Sequence, residues 1–463
     1  MATLAVHCAL LAATANLVNT HIPQSYMDEI FHIPQAQRYC SNDFTTWDPK
    51  LTTPPGLYLI SRALGSLFGN DLCNNIQALR ATNLLFSVGM YLVIRRIISL
   101  LHPSTNTLSR DLFALALTWF PVLMFFNFVY YTDAGSTFFV LLCYMLVKQK
   151  QYTLAGLSGM ISLTFRQTNI IWVAVFMALA IIDIVALNDP LLDTIQSFGK
   201  LFFGEGGYKL TYLVLSGTTM NVIQQLVIKT CYRLPEIVKR LFFFCLALVG
   251  FMAFLIWNQG IVLGDRANHV AGLHFPQLFY FSSFLSFFAS PWILTSGAIK
   301  TFMQPNLARC LLCMGAACIM LYLIRHYTYE HPFLLSDNRH YTFYIWRKIY
   351  RRHWSVRFLA VPLYIISGWF NLHAIARRTT LLVVMGYLAG IVATLVPSPL
   401  LEFRYFIIPF LFYCLQLGPP QQQWRTWIAL LVYAILHLVT IYLFVYRPFV
   451  WQHEPDQIQR FMW

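Results

Sequence analysis

The chain has 463 residues, of which 58% are hydrophobic and only 11% are Asp, Glu, Lys or Arg. Soluble domains carry roughly 25% charged residues, so this composition excludes a soluble globular protein. The 32 Lys and Arg against 18 Asp and Glu give a formal net charge of +14. Such an excess collects in the cytoplasmic loops of membrane proteins. Since no basic patch interleaves with aromatic residues outside the apolar segments, no nucleic-acid partner is expected.

The sequence predicts a series of apolar helices. The first, over 2–18, is expected to be retained rather than cleaved as a signal peptide. Crossing the hydrocarbon of a bilayer takes about 20 helical residues, and the alternating ten-residue pattern of a β-barrel is absent. We therefore predict an all-α polytopic membrane protein, one domain over 1–463, with 11 to 14 crossings. The further predicted segments are 76–94, 111–130, 134–147, 152–165, 169–187, 241–262, 275–295, 308–325, 333–346, 357–371, 379–396, 403–416 and 425–446.

Basic residues give the predicted orientation. Arg95 and Arg96 end the second helix and Arg110 closes the following loop, so the positive-inside rule puts that loop in the cytoplasm. Residues 20–75 then form a first loop on the opposite side, and the polar stretch 188–240 is predicted to be a cytoplasmic loop. The side of the membrane on which the loops beyond Arg352 lie stays open. The segment 357–371 either spans the membrane or re-enters on the same side.

Ten cysteines are scattered along the chain, mostly inside apolar segments. Cys310 and Cys313 form a CxxC at the start of an apolar helix, which favours buried packing over a zinc or redox site. Only Cys40 and Cys73 fall in the loop opposite the cytoplasm. The sequence leaves open whether they form a disulfide.

The first loop carries the acidic pair Asp28 and Glu29 among prolines and aromatic residues. A carboxylate just outside the bilayer can act as a general base. The alternative is a solvated acid at a helix start, favoured by the helix dipole.

Other polar clusters are candidates for substrate binding. Arg166 interrupts a long apolar run and either faces a cavity or partner or snorkels to the surface. The loops around residues 269, 337–340 and 402–404 are dense in hydrogen-bonding groups suited to a phosphate or sugar, or are ordinary connections and ion pairs. The candidate residues are His269, Asp337, Arg339, His340, Glu402 and Arg404.

Several motifs are absent. No Gly-rich phosphate loop or GxGxxG signals an ATP or dinucleotide site, and no GxSxG signals a serine hydrolase. The Asp-x-Asp motif, which would indicate a metal-bound nucleotide-sugar donor, is also absent. His269 and His274 do not share a helix face, so no metal site is predicted.

Six short motifs together resemble one family. They are Tyr26-Met-Asp-Glu-Ile-Phe-His-Ile-Pro-Gln-Ala-Gln-Arg38 with the following Trp47-Asp-Pro and Thr52-Thr-Pro-Pro-Gly56, Arg166-Gln-Thr-Asn169, Gly264-Asp-Arg-Ala-Asn-His269, and Asp337-Asn-Arg-His-Tyr-Thr-Phe-Tyr-Ile-Trp346. These stretches are similar to those of the endoplasmic-reticulum α-1,2-glucosyltransferases of asparagine-linked glycosylation, which use dolichyl-phosphate glucose. The Pro54-Pro55 pair is one departure, since one proline and one apolar residue are expected there.

The resemblance implies a GT-C glycosyltransferase whose catalytic first loop is lumenal. Such an enzyme adds the terminal glucose to Glc2Man9GlcNAc2-PP-dolichol with inversion, the last step of lipid-linked oligosaccharide assembly. An acid in the first loop serves as base, here Asp28 or Glu29, and Glu402 with Arg404 matches a looser motif. The implied partners are the dolichol-linked donor and acceptor and the bilayer, without a metal or other cofactor.

Two alternatives compete with this interpretation. A transporter or lipid scramblase would line a pathway with the same charges, but no paired hydropathy symmetry relates the two halves of the chain. A catalytically inactive channel regulator on the same scaffold is the other, and the intact acidic pair argues against it.

Overall fold

Helices make up most of the described chain, which in this computed structural model comprises residues 2–69, 71–186 and 217–463. Part of the predicted cytoplasmic loop 188–240 lies outside these residues, and its described end is helical. The helices are α1 Ala2–His21, α2 Glu29–Cys40, α3 Gly56–Phe68, α4 Asp71–Asn74, α5 Ile76–Leu101, α6 Thr107–Thr118, α7 Pro121–Phe126, α8 Asp133–Lys148, α9 Tyr152–Leu163, α10 Ile170–Ala186, α11 Gly217–Tyr232, α12 Leu234–Arg240, α13 Phe242–Asn258, α14 Gln277–Ile293, α15 Ser296–Met303, α16 Leu307–Tyr327, α17 Pro332–Ser336, α18 Tyr341–Ile345, α19 Val356–Leu359, α20 Val361–Ala376, α21 Leu381–Leu395, α22 Ile407–Leu417 and α23 Trp424–Tyr446.

Local sequence explains where several helices begin. The side chain of Asn75 accepts hydrogen bonds from the first N–H groups of α5, and Asn106 and Asn306 cap α6 and α16 in the same way. These caps satisfy donors that have no partner within the helix. Pro121 stands at the first position of α7, where its missing N–H is tolerated. The predicted segment 111–130 is therefore two helices.

The predicted helix 333–346 is also wrong as one element. It is divided into α17 and α18 by residues 337–340. Asp337 Oδ1 accepts from the backbone N–H of Arg339 over 3.0 Å. A short acidic side chain that bonds nearby backbone in this way competes with the helix.

The polytopic membrane class is confirmed. Among the described residues six helices are long and apolar enough to cross a membrane, or up to eight if each of two bent pairs is one span. The bent pairs are α12 with α13, at 85°, and α14 with α15, at 119°. Four further apolar helices are shorter: α3, α9, α21 and the stretch Phe403–Leu417. The number of 11 to 14 crossings stays a prediction.

The first loop is a packed structure rather than an open connection. It contains α2, α3 and α4, and α2 packs on α3 around buried Leu57 and Tyr58. Gly56 donates its N–H to the carbonyl of Thr164 over 2.8 Å, and a Cβ at this position would lie 2.3 Å from the Thr164 hydroxyl. Only glycine fits this close approach. Cys40 and Cys73 form a disulfide with their Cα atoms 6.2 Å apart.

A small hairpin follows the last helix. Strand β1, Phe449–Trp451, pairs antiparallel with strand β2, Glu454–Gln459. Beyond it, the N–H of Met462 donates to the carbonyl of Arg339 over 2.8 Å. The hairpin and the residues after it therefore lie against the break between α17 and α18.

Removing the disulfide should destabilise the first loop. The bridge closes a sequence separation of 33 residues, and a loop of this length contributes about 2–4 kcal/mol to stability. We expect Cys40→Ser to lower the thermal unfolding temperature of the purified protein in detergent. Cys310→Ser, which removes an exposed free cysteine, is the control, and an equal effect of both substitutions would contradict the prediction.

Candidate active site

A buried ion pair between Glu29 and Arg80 anchors the start of α2. Arg80 Nε donates to Glu29 Oε1 over 2.8 Å, and Arg80 Nη2 donates to Oε2 over 2.6 Å. The backbone N–H groups of Tyr130 and Tyr26 donate to the same two oxygens, over 2.6 and 3.0 Å. A carboxylate has about four acceptor positions. Those of Glu29 are therefore all occupied, and its side chain is fully buried.

Arg80 is equally well satisfied. Besides the two bonds to Glu29, its guanidinium donates to the carbonyls of Ile22 and Gln24 and to the side-chain oxygen of Asn19. All five N–H donors of the arginine are thus used. Because Arg80 belongs to α5, the network ties the first loop to a long apolar helix.

Asp28 has the opposite surroundings. Its side chain is 43% exposed, and it does not cap α2 although it stands at the N-cap. Its backbone N–H donates to the hydroxyl of Tyr131 over 3.1 Å. The preceding Met27 has φ 56°, a left-handed conformation that strains a non-glycine residue by about 1–3 kcal/mol. The anchored Glu29 on one side holds this strained turn, and Asp28 is left open.

Arg404 faces the open carboxylate. Its Nη2 lies 2.7 Å from Glu402 Oε2, and its Nε donates to the same oxygen over 2.9 Å. Its Nη1 lies 3.7 Å from Asp28 Oδ2 and 3.9 Å from Asp133 Oδ2, which is beyond hydrogen-bonding distance. Nη1 therefore has no hydrogen-bond acceptor among the described residues and is available to an anionic ligand.

Arg166 has a buried partner instead of snorkelling. Its Nη2 lies 3.0 Å from the carboxylate of Asp133, and its Nε is 3.4 Å from the hydroxyl of Thr132. Asp133 is 3% exposed and belongs to the first turn of α8. This single carboxylate thus joins Arg166 and Arg404, and through them the predicted residues Asp28 and Glu402 lie in one cluster.

The charges of the cluster act on Glu402. Burial alone would raise the pKa of this carboxyl, but the opposing charges of Arg404, His340 and Arg166 outweigh it and lower the pKa below its ordinary value. Glu402 is therefore ionised at neutral pH and holds Arg404 in place beside Asp28.

The loop at 337–340 forms a second cluster beside the first. Arg339 Nε and Nη2 each donate to a different oxygen of Asp337 over 2.8 Å, a bidentate arrangement. His340 Nε2 lies 3.5 Å from Asp337 Oδ2. Burial would raise the pKa of Asp337, but His340 and Arg339 lower it well below its usual range. The two clusters are adjacent, since the charge of His340 acts on Glu402.

His269 makes no hydrogen bond or ion pair with either cluster among the described residues. Its Nδ1 is 3.0 Å from the carbonyl of Asp265, and the N–H of Asp265 donates to the carbonyl of Pro49 over 3.0 Å. A Cβ on Gly264 would lie 2.3 Å from the Pro49 oxygen. This loop therefore packs against the first loop.

Three residues of the site were missed by the sequence reasoning: Arg80, Asp133 and Tyr131. The first two are ionisable groups inside apolar stretches, a pattern that by itself predicts a buried partner. The role of Tyr131 had no sequence signal.

In the described ranges no group of three or more His, Cys, Asp or Glu is placed to hold a metal ion. What the arrangement offers is an open carboxylate next to arginines with unused N–H donors. Such a set suits proton removal from a hydroxyl beside a bound phosphate.

Comparisons with known proteins identify the family of the chain. The model of the DIE2/ALG10 family matches residues 22–415, which include both clusters. The chain belongs to the DIE2/ALG10 family. A relative from Homo sapiens is 37% identical over 100% of this chain and 97% of its own length. One from Mus musculus is 38% identical over the same shares, and one from Arabidopsis thaliana is 33% identical over 96% of each chain.

All three relatives are named Dol-P-Glc:Glc(2)Man(9)GlcNAc(2)-PP-Dol alpha-1,2-glucosyltransferase. The family that the motifs indicate is thereby confirmed. No solved structure matches the chain significantly.

Breaking the Glu29–Arg80 pair should strongly destabilise the protein. Arg80→Ala leaves Glu29 as an uncompensated buried charge, which costs about 3–5 kcal/mol. We expect a much lower thermal unfolding temperature and a lower yield of folded protein. Arg96→Ala, on an exposed position of the same helix, is the matched control. Equal unfolding temperatures for the two variants would contradict the structural role of the pair.

Stability should fall in mild acid because of His32. Burial and the charge of Arg404 lower the pKa of His32 from 6.5 to about 4, so the folded protein keeps the ring neutral. The unfolded chain binds a proton below its ordinary pKa of 6.5, and stability is therefore lost as the pH falls from 6.5 towards 4. His32→Gln should make the unfolding temperature less dependent on pH in this window, whereas His453→Gln, an exposed histidine, should not.

Proposed function

We propose that this chain transfers glucose from dolichyl-phosphate glucose to the terminal glucose of Glc2Man9GlcNAc2-PP-dolichol, forming an α-1,2 linkage with inversion. The observation that carries the proposal is family membership over nearly the full length, with relatives named for this reaction. The transporter and channel-regulator alternatives gain no support from those names.

Asp28 is the general base of this proposal. Its carboxylate is open, whereas every acceptor position of the neighbouring Glu29 is occupied by Arg80 and two backbone N–H groups. A base must reach the proton that it removes. Asp28 takes the proton of the acceptor 2-hydroxyl, whose oxygen then attacks C1 of the donor glucose. Glu29 acts as a positioning residue that holds the strained turn at Met27.

Arginines receive the leaving phosphate. The Nη1 group of Arg404 has free donors beside Asp28 and Asp133, and Arg166 lies on the other side of Asp133. As C1 leaves the bridging oxygen, negative charge develops on the phosphate of dolichyl phosphate, and fixed guanidinium groups stabilise it. Arg339 and His340 add further basic groups next to these arginines. The absence of a metal from the reaction stays a prediction.

We assign the site to the lumenal face of the endoplasmic-reticulum membrane. Helix α5 has 26 residues and so spans about 39 Å at 1.5 Å per residue. The disulfide lies near its first residue, and disulfides persist in oxidising compartments. Arg95 and Arg96 lie near its other end, as basic residues do on the cytoplasmic side.

Replacing the proposed base tests the function. Incubation of the purified protein with dolichyl-phosphate glucose and a Glc2-capped lipid-linked oligosaccharide should add one hexose, detected by mass spectrometry. Asp28→Asn should reduce the rate roughly 10²- to 10⁴-fold without changing the unfolding temperature, because the side chain is half-exposed and its carboxylate accepts no hydrogen bond among the described residues.

The conservative control is Asp43→Asn, a half-buried acid of the same loop that belongs to neither cluster, which should retain activity. Glu29→Gln should lower the unfolding temperature together with the activity, since it weakens the buried pair. An Asp28→Asn protein that transfers glucose at the wild-type rate would sink the assignment of the base.

A further inference from the structure

The segment 459–463, which we name the C-terminal strap, contacts the active-site loops from outside the residues matched by the family model, 22–415. It packs against the loop of Arg339 and His340 and against Tyr26. The rings of Phe461 and Trp463 lie 4.5 and 4.4 Å from that of Tyr341. The strap therefore completes one wall of the site.

The strap fixes the guanidinium of Arg339. Its Nη1 donates to Gln459 Oε1 over 2.9 Å, while Nε and Nη2 engage Asp337. The ring of Trp451 covers one face at 4.6 Å. Among the described residues two of the five N–H donors of Arg339 lack an acceptor, one on each terminal nitrogen. Gln459 is 3% exposed. A buried side chain therefore fixes the guanidinium of Arg339, which still has two N–H groups free to donate.

The strap also orients the ring of His340. Nδ1 of this ring lies 2.7 Å from the carbonyl oxygen of Trp463. Since a carbonyl only accepts, Nδ1 carries the hydrogen. Nε2 is then the nitrogen that faces Asp337, at 3.5 Å.

Tyr26 connects the strap to the loop of the proposed base. Its hydroxyl donates to the carbonyl of Arg460 and accepts from the N–H of the same residue, both over 2.7 Å. Tyr26 precedes Asp28 by two residues, and its own N–H donates to Glu29. One segment thus touches both sides of the site.

We propose that the strap is a positioning element for the donor phosphate, and that Gln459 is a positioning residue acting through Arg339. This inference rests on the proposed function. Gln459 holds Nη1 so that the remaining N–H donors of Arg339 are oriented towards the phosphate of dolichyl-phosphate glucose. Loss of this hold should weaken donor binding more than the chemical step.

Steady-state kinetics of the full-length protein test the proposal. Gln459→Ala should raise the donor KM about tenfold, the effect of one hydrogen bond near a charged group, with kcat changed less than the KM. Gln459→Glu keeps an oxygen that accepts from Nη1 and should restore the low KM. Gln457→Ala, an exposed glutamine of the same strand, is the matched control and should behave like the wild type.

A double-mutant cycle separates positioning from general stabilisation. In an Arg339→Gln background, Gln459→Ala should cause no further loss, because the residue through which it acts is gone. Multiplied effects, or a Gln459→Ala variant with the donor KM of Gln457→Ala, would overturn the proposal. If Gln459→Ala fails to fold, Gln459→Leu keeps the buried volume and is judged by the same criteria.

Binding of dolichyl phosphate distinguishes failure of the function from failure of the inference. If the wild type transfers no glucose, the proposed function fails, and the affinities for dolichyl phosphate then decide the inference. Weaker binding by Gln459→Ala than by Gln457→Ala supports phosphate positioning. Equal binding by these two variants and the wild type refutes it.

Discussion

The buried pair of Glu29 and Arg80 is the constraint on which the site depends. An unpaired charge at this depth would be strongly unfavourable. The folded chain must therefore bring the two side chains into contact. Their meeting fixes the start of α2, the approach of Tyr130 and the turn at Met27. The same constraint gives two adjacent acids different surroundings, since the carboxylate of Glu29 is fully hydrogen-bonded within the protein and that of Asp28 stays accessible.

A second theme is the sharing of carboxylates among arginines. Asp133 serves both Arg166 and Arg404, and Glu402 holds Arg404 from the other side. Each arginine is fixed at one edge by protein and keeps N–H groups at another. Preorganised arginines of this kind suit a phosphate carried on a lipid. Such a donor has no nucleotide that a separate pocket could bind.

Composition and local patterns predict the membrane class and most helices, because a helix in lipid depends on its own apolar residues. The breaks at Pro121 and at 337–340 are harder, since Asp337 competes for backbone bonds only when a local turn forms. The open choice between Asp28 and Glu29 could not be resolved from sequence. It depends on Arg80, 51 residues away, and on the backbone of Tyr130, 101 residues away. His269 belongs to a family motif, yet among the described residues its hydrogen bond and ion-pair contact are with Asp265 and not with the charged clusters. A motif indicates resemblance and does not give distances.

The contacts of Tyr26 have a consequence for biogenesis. Glu29 finds Arg80 and Tyr130 within 101 residues of chain, so the anchor can assemble before the later helices are synthesised. The Tyr26 hydroxyl meets Arg460 across 434 residues of chain, and Arg404 also arrives late. A nascent chain therefore acquires its stable scaffold long before its reactive centre is enclosed. Loss of the contacts made by the C-terminal strap would then yield a protein that inserts and persists in the membrane. Its charged clusters would lack one of the segments that pack against them.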